Sequence, residues 1–195
     1  MILRGCLVGA LGIVVGLAAV ADVADVGARH LATGKVEQRI RQVVAHTSGV
    51  HGRIRSFPFL KAVANGHVDE VGATIDQLPP YTDVTVDLHG ARVSIGKLAT
   101  ELRVDVTRVQ HGTATFNLTE AGLAKSAPTV VASQVHVAVD GLHRVLVLTP
   151  PTGHAAFIPL PPTSLVPCIP GVAPVADGYT FGCSFSTVPL AFRTA

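Results

Sequence analysis

Arg55-Ser56-Phe57-Pro58-Phe59-Leu60, followed at once by Lys61-Ala62-Val63-Ala64-Asn65-Gly66, divides this chain into two periods. Before it the apolar residues recur in a helical pattern, and after it they alternate as strands do. Two of the seven Phe residues of a chain without Trp flank Pro58, whose ring fixes φ and removes a backbone donor. The stretch therefore bends. It predicts a corner where a helix gives way to a sheet, with both rings planted between the two layers. A hydrophobic plug explains such a pair as well as a binding role does.

Upstream of the corner, Ala28, Ala32, Val36, Ile40 and Val44 recur every four residues with Val43 beside them, and polar residues fill the other sides. This predicts one amphipathic helix from Val23 to about His46 with a narrow apolar stripe. Gly34 weakens it by roughly 1 kcal/mol and marks a candidate kink. Ahead of it, Met1-Ile2-Leu3-Arg4 is a short positive start, and Gly5 to Ala21 is an uncharged apolar run of about 17 residues, the lower limit for spanning a bilayer. Ala19-Val20-Ala21 fits the small-x-small pattern of signal peptidase, so residues 1–21 are expected to be a signal peptide or, uncleaved, a transmembrane anchor. Either way residues 22–195 are expected to form one exported domain, in the periplasm or at the outer face of the plasma membrane.

Downstream, the strands are read from alternation. His51 to Arg55 leads into the corner and Phe59 to Ala64 makes a helical turn. Val71, Ala73 and Ile75 then alternate with polar or small residues; Leu78-Pro79-Pro80-Tyr81 turns the chain; Val84, Val86 and Leu88 follow. Ala91, Val93 and Ile95, then Leu102, Val104 and Val106, continue the pattern. Strands with one wet and one apolar face belong to an antiparallel sheet whose apolar side is covered. Turns are expected at Asn65-Gly66, His89-Gly90, Gly96-Lys97, His111-Gly112 and Asp140-Gly141. Thr113 to Leu118 is a further strand, Thr119 caps a short helix, and Val135 to Leu148 folds as a hairpin. Asn117-Leu118-Thr119 also matches a glycosylation sequon.

From Pro150 to Ala195 the chain is Pro-rich, which precludes central strands except in short pieces such as Tyr179 to Phe185. Its apolar content predicts a segment laid over one end of the sheet. Cys168 and Cys183 form an even pair without metal-type spacing, so a disulfide is the expected state and two separate thiols the alternative.

Composition narrows the function. A net charge of +2, without basic clusters or interleaved aromatics, argues against nucleic acid as a partner. The nine histidines are scattered singly, with no metal-ligand spacing, no nucleophile elbow and no dinucleotide or phosphate-loop glycine pattern. No metal, cofactor or catalytic set is expected. Hydrophobic residues reach 48% while aromatics are only 5%, so the apolar mass is aliphatic. A void between helix and sheet lined by such residues would suit an acyl chain.

The order of export segment, amphipathic helix, Phe57-Pro58-Phe59-Leu60 with Asn65-Gly66 behind it, strands and a tail with Cys168 and Cys183 resembles the actinobacterial envelope phospholipid-binding proteins typified by the mycobacterial lipomannan elongation factor. The resemblance implies an α+β, tubular lipid-binding (BPI-like) fold, in which a long helix is wrapped by a curved antiparallel sheet. It also implies a role in envelope lipid or lipoglycan maintenance, with phospholipid as the bound ligand. The expected lipid-lining set is Phe57, Phe59, Leu60, Val71, Ile75, Val86, Leu88, Val104 and Val106, facing Val36, Ile40 and Val44. Besides phospholipid, the membrane surface and an envelope glycosyltransferase are expected partners. A membrane-tethered scaffold that steadies an envelope enzyme, with a solid core, is the alternative.

Overall fold

A computed structural model describes the backbone of residues 3–94, 105–128, 135–152 and 154–193, with side chains from Val23 onward. Helix α1 (Leu3–Val43) is continuous through Gly34. It gives way to a turn in which His46 adopts a φ of 60°. Ala32, Val36, Ile40 and Val44 are buried, the stripe that the spacing predicts. That stripe packs on β1 (Ser48–Arg55), and Gly52 sets the distance between them. A Cβ at Gly52 would lie 3.0 Å from both Thr33 Cγ2 and the Thr33 carbonyl oxygen. The polar groups along this seam are matched: Gly52 N donates to Glu37 Oε1 (2.8 Å) and Arg41 Nη2 to the Val50 carbonyl (3.3 Å). A C-terminal 3-10 helix, Leu190–Phe192, also packs on α1, and Arg39 Nε donates to the Arg193 carbonyl (3.1 Å).

After the corner come α2 (Phe59–Ala64), β2 (His67–Leu78) and β3 (Tyr81–Val93). The β2–β3 hairpin keeps one register from His67 opposite Arg92 to Leu78 opposite Tyr81. Its buried positions change parity twice, near Asp69 and Gly90 and again near Asp76 and Asp83. Gly90 and Asp83, both in β3, have φ of 62° and 51°, so that strand steps across its own pleat at each without turning back. The turn expected at His89-Gly90 is therefore corrected to an irregularity within β3. The turn expected at His111-Gly112 is likewise inside β5 (His111–Thr119), while Asn65-Gly66 and Asp140-Gly141 do turn the chain. The turn expected at Gly96-Lys97, and Val104, lie outside the described residues.

The larger sheet is antiparallel and runs β1-β2-β3-β5-β10-β9, with β4 (Val106–Arg108) also on β3; β9 is Gly171–Val175 and β10 is Gly178–Phe185. It is open, with β1 and β9 as its edges. The expectation of a sheet wrapped round the helix is corrected accordingly. A stripe one row wide seats on a single strand, and α1 packs on β1, α2 and the 3-10 helix. Helix α3 (Glu120–Ser126) follows β5, with Thr119 Oγ1 accepting from Gly122 N (3.1 Å) as its cap.

A smaller sheet, β6 (His136–Asp140), β7 (Val145–Thr149) and β8 (Ala156–Pro159), shares the core with the larger one. Tyr81 joins the two by donating its hydroxyl to the Pro159 carbonyl (2.8 Å). Its ring meets Phe116 edge-on at 4.9 Å, and Phe116 stacks on Phe181 at 5.0 Å. Pro159 and Pro174 sit in β8 and β9, both edge strands, where a missing donor is tolerated. Between β8 and β9 the chain is a strap held from two directions. Arg144 donates to the carbonyls of Pro161 (3.0 Å) and Val166 (2.9 Å), and the Cys168–Cys183 disulfide ties the strap to β10.

Candidate functional site

The corner is held by a residue outside it. Pro58 precedes α2 and has no side-chain acceptor for the orphan amides of the first turn. Asp25 of α1 supplies one: its carboxylate accepts from Phe59 N (2.9 Å) and Leu60 N (2.6 Å) and is only 4% exposed. Ser56 is buried beside it and exchanges two hydrogen bonds with Asp69, accepting from Asp69 N (2.7 Å) and donating to Asp69 Oδ2 (3.0 Å). The corner is thus pinned to the helix on one side and to β2 on the other. Sequence reasoning missed Asp25, although one signal was present. A helix that opens on Pro lacks a local cap and must borrow an acceptor.

These contacts decide which rings point inward. Phe59 is 1% exposed, whereas Phe57 is 75% and Leu60 42% exposed. The expectation that both rings lie between the layers is corrected, because capping by Asp25 draws in the residue after Pro58 and turns its neighbours out. Beside Phe57 opens a cleft of about 430 Å³, lined by Arg29, Arg55, Ser56, Phe57, Asp69, Glu70 and His89. Arg29 has no side-chain partner among the described residues, and Arg55 Nη1 reaches only Glu70 Oε2, at 3.7 Å. Glu70 is drawn more closely to Arg53 Nε (3.1 Å).

Of the other residues expected to line a lipid cavity, Val36, Ile40, Val44, Val71, Ile75, Val86, Leu88 and Val106 all belong to one buried cluster. They are brought together with Phe59, and each has almost no accessible surface. The layer is packed solid at these positions.

At the far end of the fold, two adjoining clefts of about 280 and 320 Å³ share Leu118, Thr119, Val175, Ala176 and Tyr179 between β5 and the β9–β10 turn. Among the described residues no three metal-ligating side chains converge. The described histidines are exposed or half-buried, and His89 and His111 face each other across β3 and β5 with ring centroids 6.5 Å apart. Burial alone raises the Tyr81 phenol above the usual tyrosine range and lowers the Arg144 guanidinium below its ordinary value. Neither faces the corner cleft.

The described residues form an α+β domain with a buried aliphatic layer between helix and sheet and a polar cleft at the corner. A family model described as LmeA-like phospholipid-binding matches residues 23–168, from the first described side chains of α1 to the first cysteine of the disulfide. The chain belongs to that family, which is a family of phospholipid-binding proteins and not of enzymes. Comparison with curated proteins and with solved structures gives no match. Among the residues whose side chains are described, no helix is long and apolar enough to cross a membrane.

Proposed function

We propose that this chain is an exported, non-enzymatic phospholipid-binding protein that holds or exchanges acyl-chain lipids at the outer face of the plasma membrane, in maintenance of envelope lipid or lipoglycan. The family match carries the reading. Three features support it: the aliphatic layer between α1 and the sheet, a disulfide of the kind that persists in oxidising compartments, and the apolar run before Asp22. The acyl chain enters beside Phe57 and parts the layer where the stripe of α1 meets β1. Each methylene buried from water contributes about 0.8 kcal/mol, but a lipid leaving a bilayer forfeits the same amount. Exchange, not irreversible capture, is the consequence.

The test fastens the layer shut. Because a Cβ at Gly52 would lie 3.0 Å from Thr33 Cγ2, Thr33→Cys with Gly52→Cys in a Cys6→Ser background should form a disulfide between α1 and β1. With vesicles carrying a self-quenched fluorescent phospholipid, the native chain should raise the fluorescence. The oxidised double variant should not, and reduction should restore uptake to the level of the native chain reduced in parallel. Uptake unchanged by the staple would exclude this route.

The solid packing of Val71, Ile75, Val86, Leu88 and Val106 favours a second reading, a membrane-tethered scaffold that stabilises an envelope enzyme such as a glycosyltransferase. No fluorescence change with the native chain, and no lipid extracted from it, would support that one.

A further inference from the structure

We infer that the corner around Asp25 is the face by which this protein sits on a membrane, and that its occupant is the surface of an anionic phospholipid bilayer. The inference rests on the lipid-binding reading for its purpose and on separate observations for its geometry. Val23, Val26, Phe57 and Leu60 are all exposed large apolar residues. Phe57 and Leu60 stand at the corner whose amides the Asp25 carboxylate holds, and Val23 and Val26, three residues apart and so on one face of α1, lie within two residues of Asp25. Folding leaves this group bare while burying Phe59 in its midst.

Basic and acidic side chains both stand at this corner. Arg29 follows Val26 by three residues on the same helical face. It shares the cleft with Arg55 and Phe57, and its side chain has no partner among the described residues. Lys61 and His30 are exposed beside Leu60 and Arg29. The acids nearby are already engaged. Asp25 caps α2, Asp69 bonds Ser56, and Glu70 pairs with Arg53. Exposed apolar side chains beside Arg29 and Lys61 match an interface where acyl tails lie under negatively charged headgroups. The apolar run from Gly5 to Ala21 enters the domain just before Val23, so the chain already approaches from this side.

The opposite end supplies an internal control. Phe157 is also exposed, on β8, but the Tyr81 hydroxyl bound to Pro159 places β8 at the turn of the β2–β3 hairpin. Ser56 bound to Asp69 places the corner at the other end of that hairpin. At about 3.3 Å per residue the two ends are roughly 30 Å apart.

The native chain contains no Trp, so a single introduced tryptophan reports one site. Full-length Phe57→Trp and Phe157→Trp chains would be bound to phosphatidylglycerol–phosphatidylcholine vesicles, with and without brominated phosphatidylcholine. The F57W emission should shift to the blue and be quenched by the brominated lipid. The F157W emission should stay accessible to aqueous iodide. Adding Arg29→Glu or Lys61→Glu should weaken the F57W response roughly ten-fold, as should replacing phosphatidylglycerol by phosphatidylcholine. Equal iodide quenching of F57W and F157W on bound chains, or no association with the vesicles, would overturn the inference; Leu60→Trp gives the same readout if F57W does not fold. Loss of phospholipid uptake with the F57W response intact would instead remove the carrier function and leave the docking face.

Discussion

Asp25 shows how a buried charge can be explained by backbone alone. Its two acceptor atoms meet two amides that α2 cannot satisfy itself. Asp25→Ala leaves both donors orphaned in a buried site and should cost about 2–3 kcal/mol; Asp25→Asn keeps one acceptor and should cost about 1 kcal/mol. Urea unfolding would read the difference as a lower midpoint at unchanged slope. The same residue marks a limit of sequence reading. The amides it holds are 34 and 35 positions away and carry no side-chain signature. Phe57 and Phe59 look equivalent in the sequence, and only the cap decides that one is buried and the other bare.

Periodicity made most elements legible: the stripe from Ala32 to Val44, the alternation from Val71 to Leu88, and the Thr119 cap all follow their residues. Parity steps did not. The jump from Leu88 to Ala91 reads identically whether the strand turns back or shifts its pleat, and only the partner strand decides. The prolines were legible as well, since Pro159 and Pro174 stand in edge strands, as their exclusion from central ones requires. Two side chains fasten these elements together. Tyr81→Phe removes the hydroxyl that joins β3 to β8 and should cost about 1 kcal/mol. Because burial raises the folded phenol above its ordinary value of 10.0, the stability that Tyr81 contributes should be level below about pH 10 and fall as pH rises further. Tyr81→Phe should flatten that alkaline limb in urea titrations. Arg144→Ala withdraws the donor from Pro161 and Val166 and should cost about 1–2 kcal/mol, with faster amide exchange along the strap. Arg144→Lys should recover little, because Nη2 holds the Pro161 and Val166 carbonyls while Nη1 reaches that of Cys168 (3.4 Å), a spread one ammonium does not reproduce.

The whole molecule depends on fastening a tail that has few strands of its own. The Cys168–Cys183 bond closes a loop of sequence separation 15, worth about 3 kcal/mol in the chain-entropy model. Reduction should therefore lower the thermal midpoint and expose the strap to protease while leaving the β2–β3 hairpin protected. The sequence predicted this pairing, and it predicted an α+β class. The open sheet was not legible, since no residue pattern says whether edge strands meet. Closure of the molecule also has a direction in time. The hairpins and β1 form from near neighbours, but Arg39 reaches the Arg193 carbonyl across 154 residues. At a synthesis rate of about 5–20 residues per second, that final latch arrives on the order of ten to thirty seconds after the helix it fastens. Until residues 190–193 are made, the apolar stripe of α1 lacks the 3-10 helix that packs on it, so the cover of that stripe is completed last.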